Sequence, residues 1–291
     1  MKKVIVTGGA GFIGSTLVDK LIKEGVEVII LDDLSTGKKE NINSKAKFIK
    51  CDISVEKPMF FGVDTIFHLA AKTAVQESIE NPSMYNIVNV VGTLNMLEMA
   101  KKCGIKKFIF SSSSSVYGNT TTPTKETNPL NPLSPYALNK LIGEQYCKIY
   151  STLYNIDTVC LRYFNAYGDR MNNDGGYKLV LPIFKEKLLN KKSLTINNDG
   201  NQKRDFINVL DICEANIMCG KYGGNFGGEV YNVGQGKNYT INEIADMFGG
   251  EKEYGNKVIE PFETLADISK INKKLKWNPK HKLETWIHTY I

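Results

Sequence analysis

The sequence lacks the features that mark membrane proteins and nucleic-acid-binding proteins. No apolar run approaches the ~20 residues that a membrane-spanning helix needs. The apolar run at residues 4–6 follows two lysines but is too short for a signal-peptide core. The lysines are scattered, so the net charge of +6 does not indicate a nucleic-acid partner. We therefore expect no membrane segment and no nucleic-acid partner.

Residues that form disulfides or bind metals are few and show no paired spacing. The six cysteines include no CxxC pair and no regular framework, a usage typical of reduced, buried thiols in cytosolic proteins. The three histidines, His68, His281 and His288, have no metal-ligand spacing with cysteines or carboxylates. We predict a cytoplasmic protein without disulfides and without a metal site.

The first half of the chain alternates short apolar runs with amphipathic segments. Such alternation predicts an α/β fold in which helices cover both faces of a parallel sheet. The predicted strands are residues 3–7, 27–31, 47–50, 64–69, 106–111 and 157–163, and the predicted helices are residues 12–24, 81–102 and 135–154.

The pattern is looser in the second half of the chain. Residues 166–177 are rich in Gly, Asn and Asp and predict a loop, followed by a helix near 180–190 and a strand near 193–197. Apolar segments near 206–209 and 229–233 could return to the main sheet. The expected division is a main domain of residues 1–165, to which residues 206–233 return, and a smaller, discontinuous region of residues 166–205 and 234–291.

A glycine-rich turn joins the first predicted strand to the first predicted helix. Gly8, Gly11 and Gly14 permit a tight turn and a close approach of the backbone to a pyrophosphate, and the helix N-terminus adds N–H donors. Asp32, eighteen positions past Gly14, ends the next predicted strand and would bond an adenosine ribose while repelling a 2′-phosphate. A tight turn without a ligand is the alternative. The combined spacing favours NAD over NADP.

A tyrosine and a lysine share one face of a predicted helix. Ser134 is a suitable N-cap and Pro135 suits the first helical position, so Tyr136 and Lys140 stand at i and i+4. A phenol is a poor base at neutral pH, but a nearby ammonium favours the phenolate. A solvated helix face would be the ordinary interpretation of such a pair alone. Taken together with the glycine turn earlier in the chain, the pair predicts an acid/base centre for hydride transfer from an alcohol.

Five consecutive serines, residues 111–115, follow another predicted strand. They form either a polar loop or a hydroxyl-rich edge at the carboxyl end of the sheet, where open α/β folds bind ligands.

These landmarks make the chain resemble the NAD-dependent epimerase/dehydratase family of extended short-chain dehydrogenases/reductases, and within it the UDP-sugar 4-epimerases. The resemblance implies a Rossmann-like doubly wound fold and covers almost the whole chain. Its landmarks are residues 7–14, 32–37, 51–53, 68–71, 89–93, 111–118, 136–140, 162–168, 204–207, 231–234 and 265–270.

The resemblance also implies a role for individual residues. The implied catalytic residues are Ser113, Tyr136 and Lys140. The implied NAD-binding residues are Gly8, Gly11, Phe12, Ile13, Gly14, Asp32, Asp33, Leu34, Ser35, Thr36, Gly37, Asp52, Ile53, Leu69, Ala70, Ala71, Asn89, Tyr136, Lys140 and Tyr163. The implied substrate-binding residues are Ser113, Tyr136, Asn165, Arg204 and Lys257, with Asn165 and Arg204 on the pyrophosphate.

Differences from the family's pattern narrow the choice among the family's reactions. The family's dehydratases carry an acidic pair after the catalytic serine, and this chain has Ser114 and Ser115 there. The absence of acidic residues at these positions favours inversion at C4 through a transient 4-keto sugar. Lys257 stands near the place of a second phosphate-binding arginine, Asn197 replaces an aromatic residue near the base, and the small Thr264 predicts acceptance of N-acetylated sugars as well as UDP-glucose and UDP-galactose.

Other interpretations remain open at this point. A reductase, or an epimerase at another carbon, could act on a GDP-, CDP- or dTDP-sugar, and a non-catalytic NAD-binding regulatory protein could use the same fold. Helices 81–102 and 135–154 are apolar on more than one side, which indicates burial on two sides. A thick domain core is one explanation, and the homodimer that the resemblance implies is the other.

Overall fold

A computed structural model describes residues 1–171, 180–256 and 261–291 of the chain. Its strands are β1 (Lys3–Thr7), β2 (Glu27–Asp32), β3 (Lys47–Lys50), β4 (Thr65–His68), β5 (Lys107–Ser113), β6 (Asp157–Tyr163), β7 (Asn165–Tyr167), β8 (Leu194–Ile196), β9 (Lys203–Asn208), β10 (Glu229–Val233), β11 (Asn238–Thr240) and β12 (Lys252–Tyr254). Its α-helices are α1 (Phe12–Lys23), α2 (Val75–Glu80), α3 (Pro82–Asn86), α4 (Gly92–Cys103), α5 (Pro135–Tyr154), α6 (Val180–Leu189), α7 (Val209–Lys221), α8 (Ile241–Phe248), α9 (Ser269–Leu275) and α10 (Leu283–Tyr290).

Within the described residues, the main sheet has seven strands in the order β10-β6-β5-β4-β1-β2-β3, and every neighbouring pair is parallel. Apolar clusters cover both of its faces, one between the sheet, α1 and α7 and one between the sheet, α4 and α5. The doubly wound Rossmann-like fold predicted from the sequence is confirmed. Because all strands run the same way, their carboxyl ends share one edge of the sheet.

The second half of the chain departs from the expected topology in two respects. The segment 229–233 does join the main sheet, as the edge strand β10. The segment near 206–209 does not, because β9 pairs with β7 and β11 in a separate three-stranded sheet. The expected loop at 166–177 begins with strand β7, and its residues 172–177 lie outside the described part of the chain.

The predicted helix 81–102 is also interrupted. Helix α3 passes into a π-helical turn, Ile87–Val91, before α4 begins. π-Bulges of this kind occur often at functional sites. The short helix α2, which precedes the interruption, was not predicted.

Helix α5 lies unusually close to the sheet. Its N-terminus is capped by Ser134, whose Oγ accepts from the N–H of Ala137 at 3.2 Å, and Pro135 occupies the first helical position. A methyl group at Gly143 would lie 2.4 Å from the Phe110 ring of β5. This close approach brings the polar side chains of α5 against the end of β5.

Candidate functional site

The glycine turn between β1 and α1 leaves no room for larger residues. Gly8 has a φ of +69°, and a methyl group at Gly14 would lie 2.0 Å from the carbonyl oxygen of Gly8. Helix α1 therefore begins, at Phe12 and Ile13, directly against the turn. Its N-cap, Gly11, offers no side chain to bond the first N–H groups, a geometry suited to an anion at a helix N-terminus.

Asp32 joins the glycine turn to the loop after β2. One of its carboxylate oxygens accepts from the N–H of Ala10, and the other accepts from the N–H of Leu34, both at 2.9 Å. The side chain is buried, and burial raises its pKa against the opposing effect of these two hydrogen bonds. A methyl group at Gly37 would lie 2.7 Å from the carboxylate. A carboxylate has about four acceptor sites, so both bonds leave capacity for ribose hydroxyls.

The other predicted cofactor residues lie along the same edge of the sheet. Asp33 accepts from the N–H of Ser35 at 2.9 Å, while Ser35 and Thr36 are exposed. After β3, the Asp52 carboxylate accepts from the N–H of Ser54 at 2.9 Å, and the buried Ile53 lies against α4.

Asn89 and Thr7 fix the loop that follows β4. The Asn89 amide accepts from the Lys72 N–H at 2.8 Å and donates to the Lys72 carbonyl at 2.9 Å, so its side chain holds the loop containing residues 69–71. The Thr7 hydroxyl accepts from the N–H groups of Leu69 and Ala70, each at 3.1 Å. Thr7 belongs to the landmark at residues 7–14 but was given no role of its own, because a threonine at the end of a strand gives no distinguishing signal.

The Thr7 hydroxyl is also bonded to His68 Nδ1 at 2.8 Å, and His68 Nε2 to the Thr93 hydroxyl at 2.9 Å. Burial, and secondarily the charge of Lys140, lowers the pKa of His68 to about 3. The imidazole is therefore neutral at physiological pH and connects β1 to α4.

Lys140 lies beneath the end of β5. Its Nζ donates to the carbonyl oxygen of Ser111 at 2.8 Å and stands 5.9 Å from the centre of the Tyr136 ring. Burial lowers the pKa of Lys140 to about 8, against the opposing effect of Glu144. The predicted pair is thus assembled with its lysine side chain 5% exposed and its tyrosine half-buried.

Ser113 ends β5 and begins a 3₁₀ turn, Ser114–Tyr117. Its Oγ accepts from the N–H of Ser115 at 3.2 Å, which holds the hydroxyl at the carboxyl edge of the sheet. On the neighbouring strand, the Tyr163 hydroxyl bonds the Ser111 Oγ at 3.0 Å. The serine run is therefore part strand and part ordered turn, not a loose polar loop.

Asn165 and Arg204 lie on β7 and β9 of the three-stranded sheet. The parallel pairing of these strands sets Asn165 opposite Phe206, two residues beyond Arg204. The Asn165 amide donates to the Asp205 carbonyl at 2.8 Å and to the Thr264 hydroxyl at 3.3 Å. The third predicted phosphate contact, Lys257, lies outside the described residues.

Asp205 organises the substrate side and was not given a role from the sequence. Its carboxylate accepts from the N–H groups of Gln235 at 2.7 Å, Gly236 at 3.1 Å and Ala266 at 3.0 Å. Burial raises its pKa to about 6, although these three N–H groups favour the charged form. The signal available in the sequence was an aspartate that directly follows Arg204 and directly precedes the apolar segment 206–209.

The described residues contain neither a membrane-spanning helix nor a cluster of metal ligands. None of the helices in residues 1–171, 180–256 and 261–291 is both long and apolar enough to cross a membrane. The same ranges hold no group of three or more histidine, cysteine, aspartate and glutamate side chains placed to bind a metal ion.

Comparison with known proteins identifies the family. The model of the NAD dependent epimerase/dehydratase family matches residues 4–234. The chain belongs to this family. The match spans the glycine turn, the serine turn, the Tyr136–Lys140 pair and Arg204.

A curated relative and two solved structures resemble this chain over most of its length. A UDP-glucose 4-epimerase of Mycolicibacterium smegmatis is 40% identical over 85% of this chain and 82% of that protein. A structure of UDP-N-acetylglucosamine 4-epimerase from Methanobrevibacter ruminantium in complex with UDP-N-acetylmuramic acid has a TM-score of 0.92 at 39% identity, covering 98% of this chain and 96% of that one. A structure of UDP-glucose 4-epimerase from Thermotoga maritima with UDP-glucose has a TM-score of 0.92 at 37% identity, with the same coverage.

Proposed function

We propose that the protein is an NAD-dependent epimerase that inverts C4 of a UDP-sugar. The observation that carries the proposal is the turn after Ser113. Ser114 and Ser115 occupy it, so it offers no carboxylate for eliminating water, while the hydride-transfer pair of Tyr136 and Lys140 stands beside it. Family relatives and solved structures named as UDP-sugar 4-epimerases support the same reaction.

The glycine turn between β1 and α1 and the Asp32 carboxylate at the end of β2 fit NAD. The glycine turn gives a pyrophosphate access to the backbone and to the N-terminus of α1, and the Asp32 carboxylate would accept from ribose hydroxyls and repel a 2′-phosphate. When bound, NAD supplies a reversible hydride acceptor for C4. Of the remaining predicted cofactor residues, residues 33–37 and 52–53 would line the adenosine. Residues 69–71, Asn89, Tyr163 and Lys140 would line the nicotinamide side.

In the proposed reaction, Tyr136 takes the proton from the sugar 4-hydroxyl, and Ser113 bonds the same oxygen. Lys140, held by the Ser111 carbonyl, favours the phenolate form of Tyr136 and bonds the nicotinamide ribose. The 4-keto sugar turns about its link to the pyrophosphate, which Asn165 and Arg204 hold with help from Lys257. Tyr136 then returns the proton after reduction of the opposite face.

The substrate-binding side sets the choice of sugar. The proposed division gives cofactor binding to residues 1–165, and substrate binding to residues 166–205 and 234–291. The Thr264 hydroxyl accepts from the Asp205 N–H at 3.2 Å, so its polar atom is already bonded and its small side chain leaves room for a 2-acetamido group. We therefore propose that UDP-GlcNAc and UDP-GalNAc are accepted beside UDP-glucose and UDP-galactose.

We also propose that the protein is a cytoplasmic homodimer. Apolar side chains remain exposed on the helices that the sequence marked as apolar on two sides: Ile87 at 49%, Val91 at 38%, Leu138 at 46% and Ile149 at 47%. Two copies pairing through the π-helical turn, α4 and α5 would cover them in a four-helix arrangement. The free thiols of all six cysteines fit a reducing compartment.

A panel of nucleotide sugars tests the reaction. The purified protein is incubated with UDP-glucose, UDP-GlcNAc and the corresponding GDP-, CDP- and dTDP-sugars, and the configuration at C4 of each product is read by NMR. Interconversion of the 4-epimers without net consumption of NADH is expected. Stoichiometric oxidation of NADH or NADPH would make the protein a reductase. Failure to turn over UDP-GlcNAc while UDP-glucose reacts would sink the proposal for N-acetylated sugars.

A non-catalytic NAD-binding regulator is the remaining alternative. It requires that Tyr136→Phe leave cellular function unchanged. Loss of both turnover and cellular function in that variant, with NAD still bound, excludes it.

A further inference from the structure

Behind the catalytic pair lies a buried ion pair that the proposed reaction does not use. Glu144 on α5 and Arg162 on β6 are each 2% exposed. The guanidinium binds the carboxylate through two nitrogens, with Nε donating to Oε1 at 2.8 Å and Nη2 donating to Oε2 at 2.6 Å. Bidentate geometry of this kind is the strongest form of the interaction.

Each partner also holds one flank of the serine turn. The Ser112 hydroxyl, one residue before Ser113, donates to Glu144 Oε1, and Ser112 is the register partner of Arg162 in the sheet. The Arg162 guanidinium carbon lies 4.6 Å from the centre of the Tyr117 ring at the end of the 3₁₀ turn. The residues that bear Ser113 are thus fixed from both sides by one ion pair.

Glu144 is also four positions after Lys140 on the same helix, so the two side chains share one face of α5. Helix neighbours at this spacing interact electrostatically, and the carboxylate acts to raise the pKa of Lys140 against the effect of burial. The charge of Glu144 therefore favours the ammonium that the proposed reaction requires.

We propose that Glu144 and Arg162 form a positioning pair for the reaction proposed above: Glu144 keeps Lys140 charged and fixes Ser112, while Arg162 restrains the carboxylate and supports Tyr117. Neither side chain is a catalytic residue, because both act through Lys140 and the serine turn. The proposal rests on the epimerase function, and its test contains one measurement that does not require turnover.

The other titratable groups around α5 are accounted for by their own partners. His68 is neutral at the pH of interest because burial lowers its pKa to about 3. Other titratable groups on the packed elements are Glu77 bonded to Tyr85, Glu98 bonded to Tyr150, Tyr117 bonded to Asn232, Tyr163 bonded to Ser111 and Asn216, and Cys160, whose pKa is raised by burial. On α5 itself, Tyr136, Glu144 and the buried Cys147 share the face of Lys140. The two charges to vary are therefore those of the ion pair.

The test exploits the opposite signs of the partners. Glu144→Gln removes the charge that favours the ammonium and leaves the Arg162 charge uncompensated, so the alkaline midpoint of turnover should move down by about one pH unit. Arg162→Gln frees the carboxylate to act on Lys140, so the midpoint should move up by about half a unit. Glu214→Gln is the matched control: it removes an exposed carboxylate of α7, 3.9 Å from the Lys20 ammonium of α1, and should leave the midpoint unchanged.

A purely structural role would lower the stability of both variants without moving their midpoints in opposite directions. Midpoints that stay at the wild-type value, or that shift in the same direction, overturn the proposal. If a single variant does not fold, Glu144→Met combined with Arg162→Met removes both charges at once. That double variant should show a midpoint below the wild-type value, and an unchanged midpoint overturns the proposal equally.

The second measurement is independent of the reaction. The holoenzyme is labelled with ¹³Cε-lysine, the Lys140 signal is identified by its loss in Lys140→Arg, and its chemical shift is followed with pH. The midpoint of the Lys140 titration should move down in Glu144→Gln and up in Arg162→Gln, as the midpoint of turnover does. If no nucleotide sugar is turned over but the displacements occur, the epimerase proposal fails and the positioning pair stands. If nucleotide sugars are turned over normally but no displacements occur, the epimerase proposal stands and the positioning pair fails.

Discussion

The Nζ of Lys140 donates to the carbonyl oxygen of Ser111 at 2.8 Å, which attaches a helix-borne ammonium to the strand that ends in Ser113. Since burial lowers the pKa of Lys140 to about 8, this ammonium loses its proton just above neutral pH. We expect turnover to fall as the pH rises through about 8. A rate profile between pH 6 and 10 measures this. A profile that is flat up to pH 10 would contradict the assignment of Lys140.

Replacing Lys140 should separate stability from activity. The pKa of Lys140 falls from 10.5 to about 8 on folding, which corresponds to about 3 kcal/mol of cost for keeping the charge in the folded protein at pH 7. Lys140→Met should therefore abolish turnover while leaving the free energy of unfolding at pH 7 unchanged or higher by as much as ~2 kcal/mol, because the lost bond to Ser111 offsets part of the gain.

The difference in unfolding free energy between Lys140→Met and wild type should change with pH in one direction. A group with a depressed folded-state pKa destabilises the fold below that pKa, and the penalty disappears as the pH rises toward the unfolded value. The stability gap between Lys140→Met and wild type should thus be constant below pH 8 and shrink toward pH 10.5. Denaturant unfolding at several pH values measures it, and a gap that widens with pH would count against the buried ammonium.

The glycine turn permits a matched pair of substitutions. A methyl group at Gly14 would meet the Gly8 carbonyl oxygen at 2.0 Å, whereas nothing lies within 4 Å of one at Gly223. Gly14→Ala should destabilise the fold by at least about 2 kcal/mol, as overpacking against backbone does, and should abolish NAD binding. Gly223→Ala should match wild type. The measurements are thermal unfolding and the NAD released from the denatured protein. Equal NAD content in both variants would argue against a cofactor at this turn.

The proposed dimer offers a second matched pair. Leu138 on α5 is 46% exposed, and Leu189 at the end of α6 is 70% exposed. Leu138→Glu places a charge in the expected helix interface, where an unpaired buried charge is costly, and should yield monomers. Leu189→Glu, away from that surface, should not change the oligomeric state. Light scattering with size-exclusion chromatography gives the mass, and a monomeric wild-type protein would end the proposal.

The sequence predicts best where one local pattern has one physical solution. The glycine turn and the Ser134–Pro135 helix start are of this kind, because spacing alone fixes their backbone. The strand at 206–208 is not, since apolar alternation predicts a strand but not the sheet that it joins. Likewise, the π-helical turn at Ile87–Val91 keeps a helical spacing of apolar residues and leaves no separate signal.

Buried charges were the other class that sequence patterns did not reveal. Glu144 stands in an amphipathic helix and Asp205 follows two basic residues in β9, and in both settings a charged residue usually faces solvent. Their burial depends on partners that come from other elements: Arg162 for Glu144, and the backbone of Gln235, Gly236 and Ala266 for Asp205. Only the tertiary fold brings such partners together.

The position of β10 at the edge of the main sheet has a consequence for synthesis on the ribosome. The other six strands all lie within residues 3–163, so they can pair before the rest of the chain has been made. The outer edge of β6 then stays open until residues 229–233 emerge, and unpaired strand edges invite association with other chains. The interval between these two events is the stage at which a nascent chain of this protein is most exposed to aggregation.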